Sequence, residues 1–294
     1  MPIPRQGSNT SGTTQGGSTA KVTTPSGSQH VRWSPLHIDE SRYAIIILQG
    51  LDQSGKTHFA FTAPEPILVM TFDPANMRGV AKKFAGQKDI QIAKFEVPKG
   101  LVATPQLARI AQDEATRYTD TFTHAAEGDY FKTIIMDRED DAWELYRYEE
   151  FDGKASANPH HYVQLNMAYK AMLKLCEKNK KNLIMIDAIK EEYKNNKPTG
   201  EMKRAGFKNL GMLAQLLLEP QVDAYDNFSI QVIRCRDDAT KNGVMLTTAY
   251  LDQQLLEQIG DRPVNAATGE PDWYWMNFKN VMAYLIGGTP EEWS

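Results

Sequence analysis

The chain has 294 residues, which at roughly 150 residues per domain leaves room for one large domain or two small ones. Its 41% hydrophobic and 24% charged residues exclude wholesale disorder and a fibrous repeat. Thirty-three basic residues stand against 37 acidic ones, a net charge of -4, so any nucleic-acid contact must come from a local patch. Cys176 and Cys235 are too few for a disulfide scaffold or a thiolate zinc site, which suits a reducing cytosol. No apolar stretch approaches the roughly 20 residues of a membrane span, and the N-terminus lacks a hydrophobic signal core, so no membrane association is expected.

Residues 1–35 are rich in Gly, Ser and Thr, with Arg5, Lys21 and Arg32 as the only charges before the first acidic residues. Such a segment cannot bury enough apolar surface to offset its chain entropy, so it is expected to be a disordered tail ahead of a single domain over 36–294. Beyond it, apolar runs alternate with helical stretches, the pattern of a mostly parallel sheet covered by helices. Tyr43 to Gln49 reads as a strand buried on both faces, followed by a short helix from Lys56 that stops near Pro64 or Pro66. Ile67 to Phe72 is the next strand, Asn76 to Phe84 a helix, and Ile90 to Val97 a further strand.

Thr104 and Pro105 read as an N-cap and first helical residue, with Leu107, Ala111, Ala115, Tyr118 and Phe122 at helical spacing up to Gly128. Phe131 to Met136 is a buried strand ending on Asp137. Asn158-Pro159 starts a helix with the stripe Tyr162, Leu165, Tyr169, Met172 and Cys176, and Asn182 to Ile186 is a strand ending on Asp187. A polar loop from Lys190 to Lys208 and a short helix through Leu210, Leu213 and Leu217 come next. Phe228 to Cys235 and Val244 to Leu251 then read as a C-terminal β-hairpin around Lys241-Asn242-Gly243.

One segment carries chemistry. Gly50-Leu51-Asp52-Gln53-Ser54-Gly55-Lys56-Thr57 matches G-x-x-x-x-G-K-[ST], between an expected strand and an expected helix. Gly50 and Gly55 let the backbone wrap a phosphate, and the amides of Leu51 to His58 face the anion. Lys56 would bridge the terminal phosphates of ATP, and the Thr57 hydroxyl would hold Mg²⁺. A metal site needs a carboxylate on a neighbouring strand, and Asp137 is the best candidate. A further carboxylate must orient water. Asp73 is preferred, with Glu139 next, and Asp140 and Asp187 remain as candidates because all sit at strand ends.

From Tyr169 to Lys208 eleven basic residues face five acidic ones, a local +6. Lys190, Lys194, Lys197, Lys203, Arg204 and Lys208, interleaved with Tyr193 and Phe207, suit phosphate neutralisation and base stacking on single-stranded DNA; a solvated surface or a loop closing on the nucleotide are the alternatives. Arg234 and Arg236 alternate along one strand and would share a face, as arginine fingers toward a neighbouring subunit or as ordinary surface arginines. Trp273 and Trp275 read as core or hairpin cover, and His160 and His161 have no ligand partners nearby.

With GLDQSGKT, PILVMTFDPAN, TIIMD and NLIMIDAIKEEY leading to KPTGEMKRAGFKNL, the chain from Ile45 to Leu218 resembles the RecA-like P-loop ATPases of bacteriophages, AAA-type ATP-binding proteins grouped with single-strand annealing proteins. The resemblance implies an α/β core in which the strand ending at Asp187 lies between the P-loop strand and the Asp137 strand. It also implies ATP and Mg²⁺ as cofactors, single-stranded DNA and further copies of the chain as partners, and the cytoplasm of an infected bacterium as location. This chain departs from RecA-like enzymes in offering Asp73-Pro74-Ala75-Asn76 where a glutamate is often found, and Asp187 where His or Gln is familiar. The runner-up resemblance is to nucleoside-monophosphate kinases of the thymidylate kinase type, through the same P-loop and Met136-Asp137-Arg138, but Pro64 leaves little room for their longer helix. A scaffold that binds ATP without turnover is the third possibility.

Overall fold

A computed structural model describes residues 42–97, 105–150, 162–194 and 197–294, which fall in one unit, Ser41–Ser294. The tail expected over 1–35, the Thr104 and Asn158-Pro159 caps, and His160 and His161 lie outside the described residues. The described residues build a nine-stranded sheet with helices on both faces. In order come β1 (Ile45–Gly50), α1 (Lys56–Ala60), β2 (Ile67–Thr71), α2 (Arg78–Phe84), β3 (Ile90–Lys94), α3 (Pro105–Glu127), β4 (Thr133–Asp137), α4 (Glu139–Glu150) and α5 (Tyr162–Lys178). β5 (Asn182–Lys194), β6 (Lys197–Arg204), β7 (Leu216–Val222), β8 (Phe228–Cys235), β9 (Met245–Leu246), α6 (Thr248–Ile259) and α7 (Phe278–Ile286) complete the fold.

The sheet runs β3-β2-β4-β5-β1-β7-β8-β9, and β6 pairs with the outer half of β5. Neighbours from β3 to β7 are parallel, whereas β8 and β9 are antiparallel additions. Alternate residues of the parallel strands face opposite layers, as the pleat requires. Ile46, Leu48, Val69, Ile135, Ile184 and Ile186 join Phe59 of α1, Leu251 and Leu255 of α6, and Phe278 and Val281 of α7 in one core. Ile45, Ile47, Leu68, Met70, Ile134, Met136, Leu183 and Met185 join Ala111, Tyr118 and Phe122 of α3, Leu145 of α4 and Tyr169 of α5 in the other. Cys176 and Cys235 are free and buried in opposite layers, so a bridge between them is impossible. Among the described residues no helix is long and apolar enough to cross a membrane.

The parallel core follows the sequence to within a few residues at each end, and the C-terminal third departs from it. Leu210 lies in a 3₁₀ turn, Lys208–Met212, but Leu217 belongs to β7, whose residues alternate between buried and half-buried. The spacing of Leu210, Leu213 and Leu217 imitates one helical face, yet Leu216 and Leu218 answer to the strand period of two and pair with Ile46 and Leu48. The strand expected through Leu251 stops at Leu246. Thr247 accepts a hydrogen bond from the Tyr250 amide at 3.2 Å and starts α6, where Leu251 and Leu255 are buried at helical spacing. The C-terminal hairpin is thus the sheet edge itself, and helices cover it. The loop expected over Lys190 to Lys208 is largely a two-stranded arm, β5 with β6, whose β6 side chains are exposed up to Arg204.

Phe278 is fully buried, with its ring 6.4 Å from Phe59 and 6.4 Å from Trp293. Phe278→Ala is expected to cost about 3–5 kcal/mol, read as a lowered urea midpoint at unchanged slope.

Candidate nucleotide site

Parallel pairing sets the geometry of the site. β5 lies between β1 and β4, with Gly50 opposite Ala188 and Asp137 opposite Ile186, so the ends of all three strands open on one edge. This is the strand order that the sequence resemblance implies. A cavity of about 740 Å³ lies on that edge, walled by Asp52 to His58, by Asp73, Asn76 and Met77 after β2, by Asp137, Arg138 and Asp140, and by Asp187. Val222, Asp226 and Phe228 from the β7–β8 turn close its far side.

The turn after β1 has the backbone its glycines permit. Gly55 has φ +88, and a Cβ there would come within 2.6 Å of the Phe228 ring, so conformation and space both demand glycine. Gln53 also takes a left-handed φ of 62. The first helical bond of α1 runs from the Phe59 amide to the Gly55 carbonyl at 3.0 Å, and the amides of Lys56, Thr57 and His58 precede it. Lys56 is buried and curls onto the turn, donating to the carbonyls of Gly50 at 2.9 Å and Leu51 at 2.5 Å. Burial holds its pKa below the usual lysine range, against the pull of Asp52 and Asp137. Such an ammonium gains most from an anion that brings charge into the cavity.

Asp137 at the tip of β4 is buried, and its Oδ2 accepts from the Thr71 hydroxyl at 2.8 Å. Burial raises its pKa, while the Thr71 hydrogen bond and the nearby Arg138 and Lys56 lower it. Arg138 follows in a left-handed conformation, φ 67, at the turn into α4. Thr57 and Asp137, both lining the cavity, offer an alcohol and a carboxylate oxygen, the donor types that Mg²⁺ takes. Among the described residues no cluster of three His, Cys, Asp or Glu could hold a metal, so a cation here would complete its shell with phosphate oxygens and water.

The acidic candidates separate. Glu139 is fully buried, and its oxygens accept from the Tyr169 hydroxyl at 2.8 Å and the Phe207 amide at 3.2 Å, away from the cavity wall. A carboxylate so occupied is a structural anchor. Asp187 lines the cavity, but Arg204 donates to its Oδ2 at 2.5 Å. Asp73 lines the cavity too and accepts from Asn76 Nδ2 at 2.6 Å. Asp140 lines it with its Oδ2 3.1 Å from Lys190.

The basic residues separate as well. Arg204, with its side chain only 14% exposed, is bound to Asp187, to the Phe207 carbonyl at 2.7 Å and at 3.9 Å to Glu139, so it is not presented to a DNA backbone. Lys190, Lys194 and Lys203 are more than half exposed on the arm, although Glu192 pairs with Lys194 at 3.3 Å and Lys203 at 2.5 Å. Lys197 is exposed, and Lys208 opens the 3₁₀ turn beyond the arm. Arg234 donates to the Gly211 and Ala214 carbonyls, and Arg236 to Met212 at 2.8 Å. They sit where β8 meets the start of β7, at the sheet edge opposite the cavity in their own chain. Trp273 and Trp275, read as core or hairpin cover, are about half exposed, Trp275 donating to Asp272 at 3.2 Å.

Sequence reasoning missed the partners of these groups. Tyr169, Phe207 and Arg204 close around Glu139 and Asp187, and the one signal was a lone arginine in an otherwise lysine-rich run. Phe228 against Gly55 left no signal at all. Burial raises the pKa of both Glu139 and Asp187, and Arg204 opposes it. Arg204→Met should therefore destabilise the fold by about 3–5 kcal/mol at pH 7, since two buried carboxylates lose their cation. With folded-state pKa values raised, both acids protonate in the folded chain as the pH falls, and neutral acids need no counter-charge. The loss should thus be smaller at pH 5 than at pH 7, as urea titrations at the two pH values can check.

A family model described as "AAA domain" matches residues 42–239. Among solved structures, the crystal structure of the RadB recombinase aligns with a TM-score of 0.43 at 13% identity, covering 69% of this chain and 84% of that one. No curated protein matches the chain significantly. The family match takes in the P-loop, Asp137, the arm and both sheet neighbours of β1, more than half of the sequence. The chain belongs to the AAA domain family.

Proposed function

We propose that the chain is a Mg²⁺-dependent ATPase that hydrolyses ATP to ADP and phosphate in association with single-stranded DNA, in phage recombination or replication. The observation that carries this reading is the shared cavity of Lys56, Thr57 and Asp137, formed by β1 and β4 on either side of β5. The turn amides and Lys56 would grip the terminal phosphates, with Thr57 and, through a water, Asp137 holding the cation. Bound Mg²⁺ supplies charge neutralisation to the phosphates; the chain supplies position and a wall that limits access of water.

The arm β5–β6 rises from the strand between these two groups, which supports single-stranded DNA as its partner, through Lys190, Lys194, Lys197 and Lys203, with Lys208 beyond. The ATPase unit is taken as 36–294 and the 1–35 segment as its tail, with several copies acting together in the cytoplasm of an infected bacterium. Arg234 and Arg236 serve as fingers only if a neighbour's cavity meets the opposite sheet edge and draws them from their own carbonyls. A nucleoside-monophosphate kinase fits less well, because α1 spans only Lys56–Ala60.

ATP turnover with Mg²⁺ should rise on adding single-stranded DNA, fall about 100-fold or more in Lys56→Ala, and vanish with a chelator. Transfer of phosphate to dTMP would establish the kinase instead, and ATP binding without turnover the scaffold. Replacing Lys194, Lys197 and Lys203 together with Ala should flatten the dependence of log Kd for single-stranded DNA on log salt by about 2, from ~0.7 per lost contact. An unchanged slope removes the DNA role of the arm.

A further inference from the structure

Two of the residues above belong to different parts of the proposed machinery and touch. Lys190 stands at the base of the arm, beside Lys203 across the β5–β6 ladder, with its side chain 63% exposed. Asp140, in the first turn of α4, lines the nucleotide cavity with its side chain 6% exposed. Their contact is the 3.1 Å bond from Lys190 Nζ to Asp140 Oδ2, and Arg138 lies farther off at 3.8 Å. Asp140 Oδ1 is buried and accepts no hydrogen bond from the protein. Asp187 likewise has one oxygen held, by Arg204 at 2.5 Å, and a buried Oδ1 without a partner, but its cation is itself buried, with a side chain only 14% exposed, whereas Lys190 is open to a ligand on the arm; both Asp73 oxygens accept from Asn76.

We propose that Asp140 orients the attacking water and that Lys190 is a positioning residue acting through it, joining the state of the arm to the state of the cavity. The proposal rests on the ATPase reading above. With the arm empty, Lys190 neutralises Asp140 and holds it. A polyanion along the arm competes for the same ammonium and leaves Asp140 Oδ2 free to accept from a water in the cavity. Water then bonds to the γ-phosphorus as the bond to the bridging oxygen breaks; that oxygen leaves with ADP, and the proton of the water passes to Asp140 and on to solvent. Asp140 and the polyanion compete for one cation, so whatever DNA does to nucleotide affinity, nucleotide does equally to DNA affinity.

The test is a double-mutant cycle on the full chain without nucleotide, reading single-stranded DNA affinity by anisotropy of a labelled oligonucleotide. DNA must take Lys190 from Asp140, so Asp140→Asn should tighten binding about threefold to fivefold, the range of one half-exposed ion pair, and should change nothing in a Lys190→Met background. A merely structural Asp140 would weaken binding in both backgrounds. Lys190→Met should also raise DNA-free turnover several-fold and remove most of the stimulation by DNA, whereas Lys190→Arg keeps both. Unchanged or weakened DNA affinity in Asp140→Asn overturns the proposal, and so does stimulation that survives in Lys190→Met. A wild-type chain that binds no single-stranded DNA removes the proposed function with it. DNA-stimulated turnover with no energy in the cycle removes this inference alone.

Discussion

A strand paired on both edges and buried on both faces cannot slide by one residue without turning its whole core face toward the wrong layer. β5 is such a strand, locked between β1 and β4 by parallel ladders that run from Leu183 to Ala188 on one side and from Asn182 to Ile186 on the other. Its place between them sets the ends of β1 and β4 roughly two strand spacings, ~10 Å, apart, and its register sets both ends at the same edge of the sheet. The edge that carries the cavity is therefore a by-product of apolar packing. Ile184 and Ile186 fill one layer, Leu183 and Met185 the other, and the polar residues begin where the layers end.

At that boundary the same strand carries a buried charge cluster. Asp187 and Glu139 share Arg204, which reaches back from the end of β6. Two carboxylates in a dry place with one guanidinium are an expensive arrangement, favourable only while every partner stays. Its consequence is to fix the root of the arm to the rim of the cavity. β6 cannot leave β5 without exposing both acids to an uncompensated interior. The outer arm, with exposed lysines and no core beneath it, has no such restraint and is free to meet a partner.

How much of this is legible in the sequence depends on how local its cause is. The P-loop turn, the strand ending on Asp137 and the two-layer core are written in short apolar runs and one fixed spacing, and these agree with the structure; the strand expected to end on Asp187 instead continues to Lys194, where pairing with β6 replaces the apolar signal. The C-terminal third went astray where two periods compete: Leu210, Leu213 and Leu217 satisfy a helical stripe, while Leu216 and Leu218 satisfy a strand, and only the vacant edge of β1 decides between them. Val244 to Leu246, an apolar run after an Asn-Gly turn, reads on as a strand, and the structure instead starts α6 at the Thr247 cap. Glu139 shows the limit of reading strand ends: its neighbour Asp140 reaches the cavity, and one step along α4 turns a carboxylate by about 100° into the core.

That single helical step is also why charge counts mislead here. The +6 of the basic segment is a property of composition, and the fold spends it unevenly. Arg204 is consumed inside, Lys194 and Lys203 are partly offset by Glu192, and Lys190 faces an acid of the cavity. What remains for a polyanion includes three conditional charges, Lys190, Lys194 and Lys203, each held by a carboxylate that must be released first. The lysine count therefore overstates the free positive charge of the arm, and at Lys190 the carboxylate that would be released lines the cavity where the proposed nucleotide would lie.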